Sequence, residues 1–290
     1  MLKRFYKEGQ KLDVAGLNEI TVLIDRSETE FTETGWNCWS PNQDGPPHKH
    51  NDKDQVFYVT GGVGKIVLGD KTYDAKPGCL AYVPAGIVHQ SITTTAERLC
   101  YILFNVFRST SKEGHASFAE HIEKVKQIRR AQADSGNVEA DKEEVLDDIK
   151  DSKYYEDITS GKTFDFGSNT ATLLVDRKDA NRTEVTCVTW RDGKRGAMVA
   201  HKDKEQTFFV LEGKGKITVG DETEMVGEGD MVFVPRNTPH TTEAVDGDLK
   251  YLCMNGLAED VKDNSFGEMY KRVSADRISR FENKSNDVGE

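Results

Sequence analysis

The chain has 290 residues, 36% of them hydrophobic and 31% charged, with 39 Lys and Arg against 50 Asp and Glu for a formal charge of −11. That length carries two domains with full cores, and the acidic balance excludes a general nucleic-acid binder, whose partner's phosphates it would repel. The opening MLKRFYKEGQKLDV has early positive charge without an apolar stretch behind it, and no run is long enough to span a bilayer as a helix, so a cytoplasmic protein with no membrane partner is expected.

In chain order, the first strand-like run is TVLIDR (21–26). The segment PPHKHNDKDQVFYVTGG (46–62) follows, then GKIVLGDKTYDAKPG and CLAYVPAG, then CYILFNVF. Short runs rich in Val, Ile, Phe, Tyr and Thr, punctuated by Gly, Asp and Pro, predict antiparallel strands, and the Gly-Asp of VLGDKT signals a hairpin. A lone hairpin is unstable, so such strands imply a closed or double-sheet architecture.

Beyond residue 108 the texture changes. HASFAEHIEKVKQIRRAQ places Phe118, Ile122, Val125 and Ile128 at helical spacing, which predicts an amphipathic helix on the outside of the β module. The acidic stretch NVEADKEEVLDDIKDSKYYEDI is expected to be a helical linker with a solvated face.

The remainder repeats the beginning. DQVFYVTGGVGKIVLGDKT (54–72) registers on EQTFFVLEGKGKITVGDET (205–223) without a gap, at an offset of 206 − 55 = 151. TVLIDR matches TLLVDR (172–177) at that offset, CYILFN matches KYLCMN after a one-residue slip, and SFGEMYKRV (265–273) echoes SFAEHIEKV (117–125). The chain therefore holds one module twice. We expect an N-terminal β domain over 1–108, a charged helical linker over 109–167, a C-terminal β domain over 168–257, and a helix with a frayed tail over 258–290.

Five cysteines (Cys38, Cys79, Cys100, Cys187, Cys253) are odd in number, scattered and without a CxxC pair, so buried free thiols are expected. The chemistry concentrates elsewhere. His48 and His50 are two apart, so strand alternation sends both to one face. Gln55 opens the next strand, and His89 follows the tight PAG turn.

These residues resemble the two motifs of the cupin superfamily. The first reads His48, His50, four residues, Gln55, six residues, Gly62; the second reads Gly78, five residues, Pro84, Gly86, two residues, His89. Glutamine stands where the family usually has glutamate. The second copy keeps His201, Gln206, Gly213, Gly229, Pro235 and His240, but Val199 replaces the first histidine and Asn237 the second-motif glycine.

The resemblance implies an all-β protein of two tandem jelly-roll barrels, each followed by a helix. It implies a divalent transition metal (Zn, Fe, Ni, Mn, Co or Cu) held by His48, His50, Gln55 and His89. His201, Gln206 and His240 leave two readings open, a three-ligand site or a vestigial pocket. Glu205 turns to the opposite face and is not counted as a ligand.

With a neutral amide in place of a carboxylate, the ion would keep its full dipositive charge, which favours Lewis-acid work. The leading expectation is a non-redox isomerase or lyase acting on a small carbonyl or sugar-acid substrate. The alternatives are a cupin dioxygenase using Fe, Cu or Ni with O2, or a non-catalytic bicupin that binds a small ligand; a homodimer is allowed. His115 and His121, six apart on a helix, are expected to be exposed. Trp36, Trp39 and Trp190 are expected to pack. Tyr101 could donate a proton, but its recurrence as Tyr251 points to packing.

Overall fold

The structure, a computed structural model, describes residues 1–93, 95–113, 115–135, 146–258, 261 and 263–282, with only the backbone described for 128–135 and 280–282. It divides into two units, one of Lys7–Asp157 and one of Met1–Tyr6 with Ile158–Glu290.

In the N-terminal unit, alternating runs such as Leu99–Phe107 and Lys53–Gly62 zip together at the centre of a seven-stranded antiparallel sheet. Its order is Lys153–Tyr155, Leu80–Val83, Lys53–Gly62, Leu99–Phe107, Thr32–Trp39, Asn18–Ile24, Lys11–Val14. A second sheet of four strands runs Gln43–Asp44, His89–Thr93, Gly64–Leu68, Lys71–Ala75. The C-terminal unit repeats the plan. Its seven-stranded sheet runs Leu2–Phe5, Asp230–Val234, Lys204–Glu212, Leu249–Leu257, Thr183–Trp190, Asn169–Val175, Lys162–Asp165, beside Glu222–Gly227, Lys214–Val219 and His240–Ala244. Each unit is thus a double-sheet jelly roll. Of the two architectures that the strand pattern allowed, closed or double-sheet, the protein has the double-sheet one.

One apolar set fills each unit. In the first, Phe57, Val59, Ile66, Leu68, Leu99 and Leu103 meet Phe118 and Ile122 of helix α1 (Phe118–Ser135). Val125 packs against the same core, while the side chain of Ile128 lies outside those described. In the second unit, Phe208, Val210, Ile217 and Leu249 meet Phe266 and Val273 of helix α2 (Phe266–Glu282). The repeated Asp-Arg explains how each helix is seated. Asp25 accepts from the Phe118 backbone N–H at 3.1 Å, and Asp176 from that of Phe266 at 3.0 Å. A carboxylate on the first N–H of a helix satisfies an orphan donor and complements the helix dipole.

Two first-motif glycines are demanded by their backbone. Gly62 has φ of +72°, and a Cβ there would lie 1.5 Å from the Arg98 carbonyl oxygen; Gly213 has φ of +82°, with the Asp248 carbonyl at 1.9 Å.

Three expectations are corrected. The linker expected to be helical over 137–158 ends in a strand, Lys153–Tyr155, which pairs with Leu80–Val83, while Tyr154 stacks on Tyr73 at 4.3 Å; residues 136–145 lie outside those described. The first residues do not serve the N-terminal jelly roll, because Leu2–Phe5 pairs with Asp230–Val234 inside the C-terminal unit. Each copy's opening strand, offset by 153 − 2 = 151, therefore edges the sheet of the other copy. Finally, Cys38 and Cys100 are not free thiols: they face each other across neighbouring strands and form a disulfide. Cys79, Cys187 and Cys253 are buried thiols outside any disulfide, as expected.

Candidate metal centre

Backbone hydrogen bonds lace the two motifs of the N-terminal unit together. His48 N–H donates to the His89 carbonyl at 3.0 Å, His89 N–H returns to the His48 carbonyl at 2.8 Å, and Gly86 N–H donates to the His50 carbonyl at 2.7 Å. The turn carrying His89 is pinned from behind. Asp54, facing away from Gln55 by strand alternation, accepts from Ala85 N–H and from the Tyr82 hydroxyl, each at 3.0 Å. Gly86 holds φ of +88°, and Asn237, its replacement in the second copy, holds +59°. Asparagine is among the few residues that tolerate this left-handed conformation, so the turn survives the substitution.

The sequence-predicted imidazoles converge. Ring centroids are 4.3 Å apart for His48 and His89, 5.1 Å for His48 and His50, and 5.5 Å for His50 and His89. One nitrogen from each lies within 4.8 Å of the others, an arrangement that could hold a metal ion. The Nδ1 atoms of His48 and His89 sit 2.9 and 3.1 Å from the carbonyls of Pro46 and Ile87. A ring that donates Nδ1–H to a carbonyl presents Nε2 as a lone pair, the tautomer a metal requires. Burial, followed by neighbouring positive charge, holds His50 and His89 well below the usual histidine range, so both are neutral at neutral pH.

Gln55 fits the same centre. It is inward-facing, since Phe57, two residues on, brings its ring 5.8 Å from His89. Its Nε2 donates to Asn105 Oδ1 at 2.9 Å, and its Oε1 is buried with no partner among the described residues. A buried acceptor left unmade costs free energy, and a cation or a ligand donor would satisfy it. The chain of contacts continues outward. Asn105 Nδ2 donates to Glu33 Oε1 at 2.7 Å, and Glu33 Oε2 meets His115 Nε2 at 3.0 Å.

His115 and His121 are corrected by this network. His115 precedes α1 and is buried, with its ring stacked on His121 at 4.2 Å; His121 is partly buried and lies 6.4 Å from His50. Burial and the Lys53 ammonium depress the basicity of His121 as well. The signal was present, because His121 falls on the helical face of Phe118, Ile122 and Val125. Lys53, equally unforeseen, is 1% exposed with its ammonium 5.2 Å from the Phe107 ring centroid.

In the C-terminal unit His201 and His240 come within 5.2 Å, and Val199 takes the bridge position opposite His240. Gln206 and Asn255 repeat the amide pair at 2.9 Å. Glu205 is buried and does not line the cavity that Lys204 and Gln206 line, as alternation requires. Tyr101 is buried and bonded to Asn37, Trp39 and Ser91; Tyr251 is buried, bonded to Trp190 and lines the C-terminal cavity. Trp39 is buried; Trp36 and Trp190 are partly buried, and Trp190 also lines the cavity.

Known proteins share this fold. The cupin domain profile matches residues 36–105 and again 188–255, so the chain carries two cupin domains. Among solved structures it is similar to oxalate decarboxylase from Bacillus subtilis at pH 4.6, with 15% identity and a TM-score of 0.60, over 92% of this chain and 78% of that one. AerE from Microcystis aeruginosa gives 12% identity and a TM-score of 0.58, over 87% and 99%. At these identities the likeness is one of fold. Quercetin 2,3-dioxygenase from Bacillus subtilis is 28% identical over 82 residues, 28% of this chain and 24% of that protein. The matching stretches cover between 12% and 50% of the length of the curated relatives. Among the described residues no helix is long and apolar enough to cross a membrane.

Proposed function

We propose that the N-terminal jelly roll is the centre of a metal-dependent, non-redox isomerase or lyase acting on a small carbonyl compound such as a sugar acid. The donor set carries this reading: three imidazoles within 4.8 Å and a buried, unpartnered Gln55 amide oxygen, with no carboxylate among the four. His48, His50 and His89 would hold a divalent transition ion through ring nitrogens, with Gln55 adding Oε1. Bound there, the ion supplies Lewis acidity that no ligand carboxylate offsets.

The chain's own residues set the rest. The carbonyls of Pro46 and Ile87 orient the His48 and His89 rings, and Asn105 fixes the amide so that Oε1, not Nε2, faces the imidazoles. Lys53, buried over the Phe107 ring, helps to hold His50 and His89 in their neutral, metal-ready form. His121, neutral at neutral pH and 6.4 Å from His50, is placed to accept a proton at a ring nitrogen from a carbon next to a carbonyl.

Metal-loaded protein incubated with unsaturated uronates or keto sugars under argon tests the reading by product analysis. Turnover at the same rate with and without oxygen is expected, and a strict oxygen requirement contradicts it. The likeness to quercetin 2,3-dioxygenase supports a second reading, an oxygen-using enzyme. Gln55→Glu separates the two, since the added charge should lower Lewis-acid turnover and sustain or raise oxygen-dependent turnover.

A further inference from the structure

The C-terminal jelly roll encloses a cavity of about 440 Å³. It repeats the position of the N-terminal cluster but not its chemistry. Only two imidazoles remain, since Val199 stands opposite His240 where His48 stands opposite His89. Among the described residues the lining carries six basic side chains (Arg177, Lys194, Arg195, Lys204, Arg272, Arg277) and three acidic ones (Glu184, Asp203, Asp263). Six minus three leaves the wall at +3, in a chain whose net charge is −11. Two of the acids are engaged, Glu184 with Arg177 Nε at 2.5 Å and Asp263 with Arg272 at 3.0 Å.

Of the basic groups, Arg195 and Arg272 are exposed, whereas Arg177 is buried and Lys204 and Arg277 are partly buried along the lining. After burial itself, Lys204, then His240, Arg277 and Arg177 are what push the basicity of His201 down to about 2. Lys204 differs from its counterpart in a telling way. Lys53 pairs in register with Phe107 and lies over that ring, whereas Lys204 pairs with Leu257, lines the cavity and is partly buried. Helix α2 adds Met269 where α1 has His121, and Arg277 two turns further on. Gln206, 6% exposed, has a buried Oε1 without a partner among the described residues, so the wall also presents one acceptor that needs a donor. Phe208, Trp190 and Met269 supply an apolar side.

The geometry points to a second ligand site in this cavity, built without a metal and selective for a small organic anion that carries both a carboxylate and a hydroxyl group. The carboxylate lies between Lys204 and Arg277, a charge-assisted contact strengthened by withdrawal from water. The hydroxyl donates to Gln206 Oε1, and the carbon skeleton rests on Phe208 and Trp190. A divalent cation is disfavoured by the same positive wall. This site is independent of the N-terminal reading and stands or falls separately.

Isothermal titration of the full-length His48→Ala/His50→Ala variant, in which the N-terminal cluster is disabled, tests it with D-galacturonate, citrate and 4-hydroxybenzoate, and with D-galactose and 4-hydroxybenzyl alcohol as neutral counterparts. Saturable binding of at least one acid is expected, with its uncharged counterpart at least about tenfold weaker. Adding Lys204→Met, or separately Arg277→Gln on the outer helix, should weaken that acid by at least about tenfold. No saturable binding to any of the three acids overturns the site, as does binding that both substitutions leave unchanged.

Discussion

The two units carry the same polar skeleton and end it differently. In the first, Gln55 leads through Asn105 and Glu33 to His115; in the second, Gln206 leads through Asn255 and Glu184 to Arg177. Duplication has kept the frame that orients a carboxamide inside each jelly roll. Three replacements change what that carboxamide meets: His48 by Val199, His121 by Met269, and Phe107 by Leu257 beside the lysine. A trio of imidazoles becomes a cationic cavity with two. The fold is therefore a poor guide to the chemistry, and the side chains aimed at the centre are the better one.

The sharpest way to break the comparison is to remove the histidine that both units retain. His89→Ala is expected to lower metal affinity by more than about 100-fold, beyond the usual effect of an outer partner, whereas His240→Ala leaves it unchanged. Competition against a chromophoric chelator measures both, and equal losses would erase the distinction between the units. The amide frame gives a smaller contrast. Asn105→Leu frees the Gln55 amide to turn and should cost roughly 10- to 100-fold in metal affinity, while Asn255→Leu should cost nothing there.

Acid sharpens the comparison in the metal-free protein. Histidines held below their ordinary pKa by burial bind fewer protons folded than unfolded, so their contribution to stability is present above about pH 6.5 and is lost as the pH falls below it. His50, His89 and His121 act this way in the first unit, and His201 and His240 in the second. Melting of chelator-treated protein from pH 7.5 to 5 should show a falling Tm, less steep in the His121→Gln variant; a flat profile contradicts the burial argument.

The smallest effect concerns the exchanged strands. Deleting residues 1–6 removes the edge strand beside Asp230–Val234, together with the ion pair of the Met1 amino group to Glu222 at 2.6 Å. Hydrogen exchange in 230–234 should quicken by about tenfold, an opening of roughly 1.4 kcal/mol, with Leu80–Val83 unaffected.

Much of this was legible in the residues, and what was missed has a common cause. The repeat at 151 residues, the strand character and the shared face of His48 and His50 follow from local pattern and spacing, and the meeting of both with His89 was implied by the family resemblance. The pairing of Cys38 with Cys100 does not, because it depends on which strands become neighbours across 62 residues of chain. The opening strands are too short for pattern to betray their partners: Leu2–Phe5 and Lys153–Tyr155 share an offset but little sequence. His115 was misread because it was assigned to a helix that begins only at Phe118. The Asp-Arg repeat was visible, but its carboxylates act on helix N-termini 93 and 90 residues away, a contact that no periodicity encodes.

Elemental analysis of full-length protein purified without chelator tests the central claim most directly. The account predicts about one divalent transition ion per chain, unchanged in His201→Ala and absent from His48→Ala/His50→Ala. Protein that carries no ion, or an ion that stays with the double variant, would contradict it.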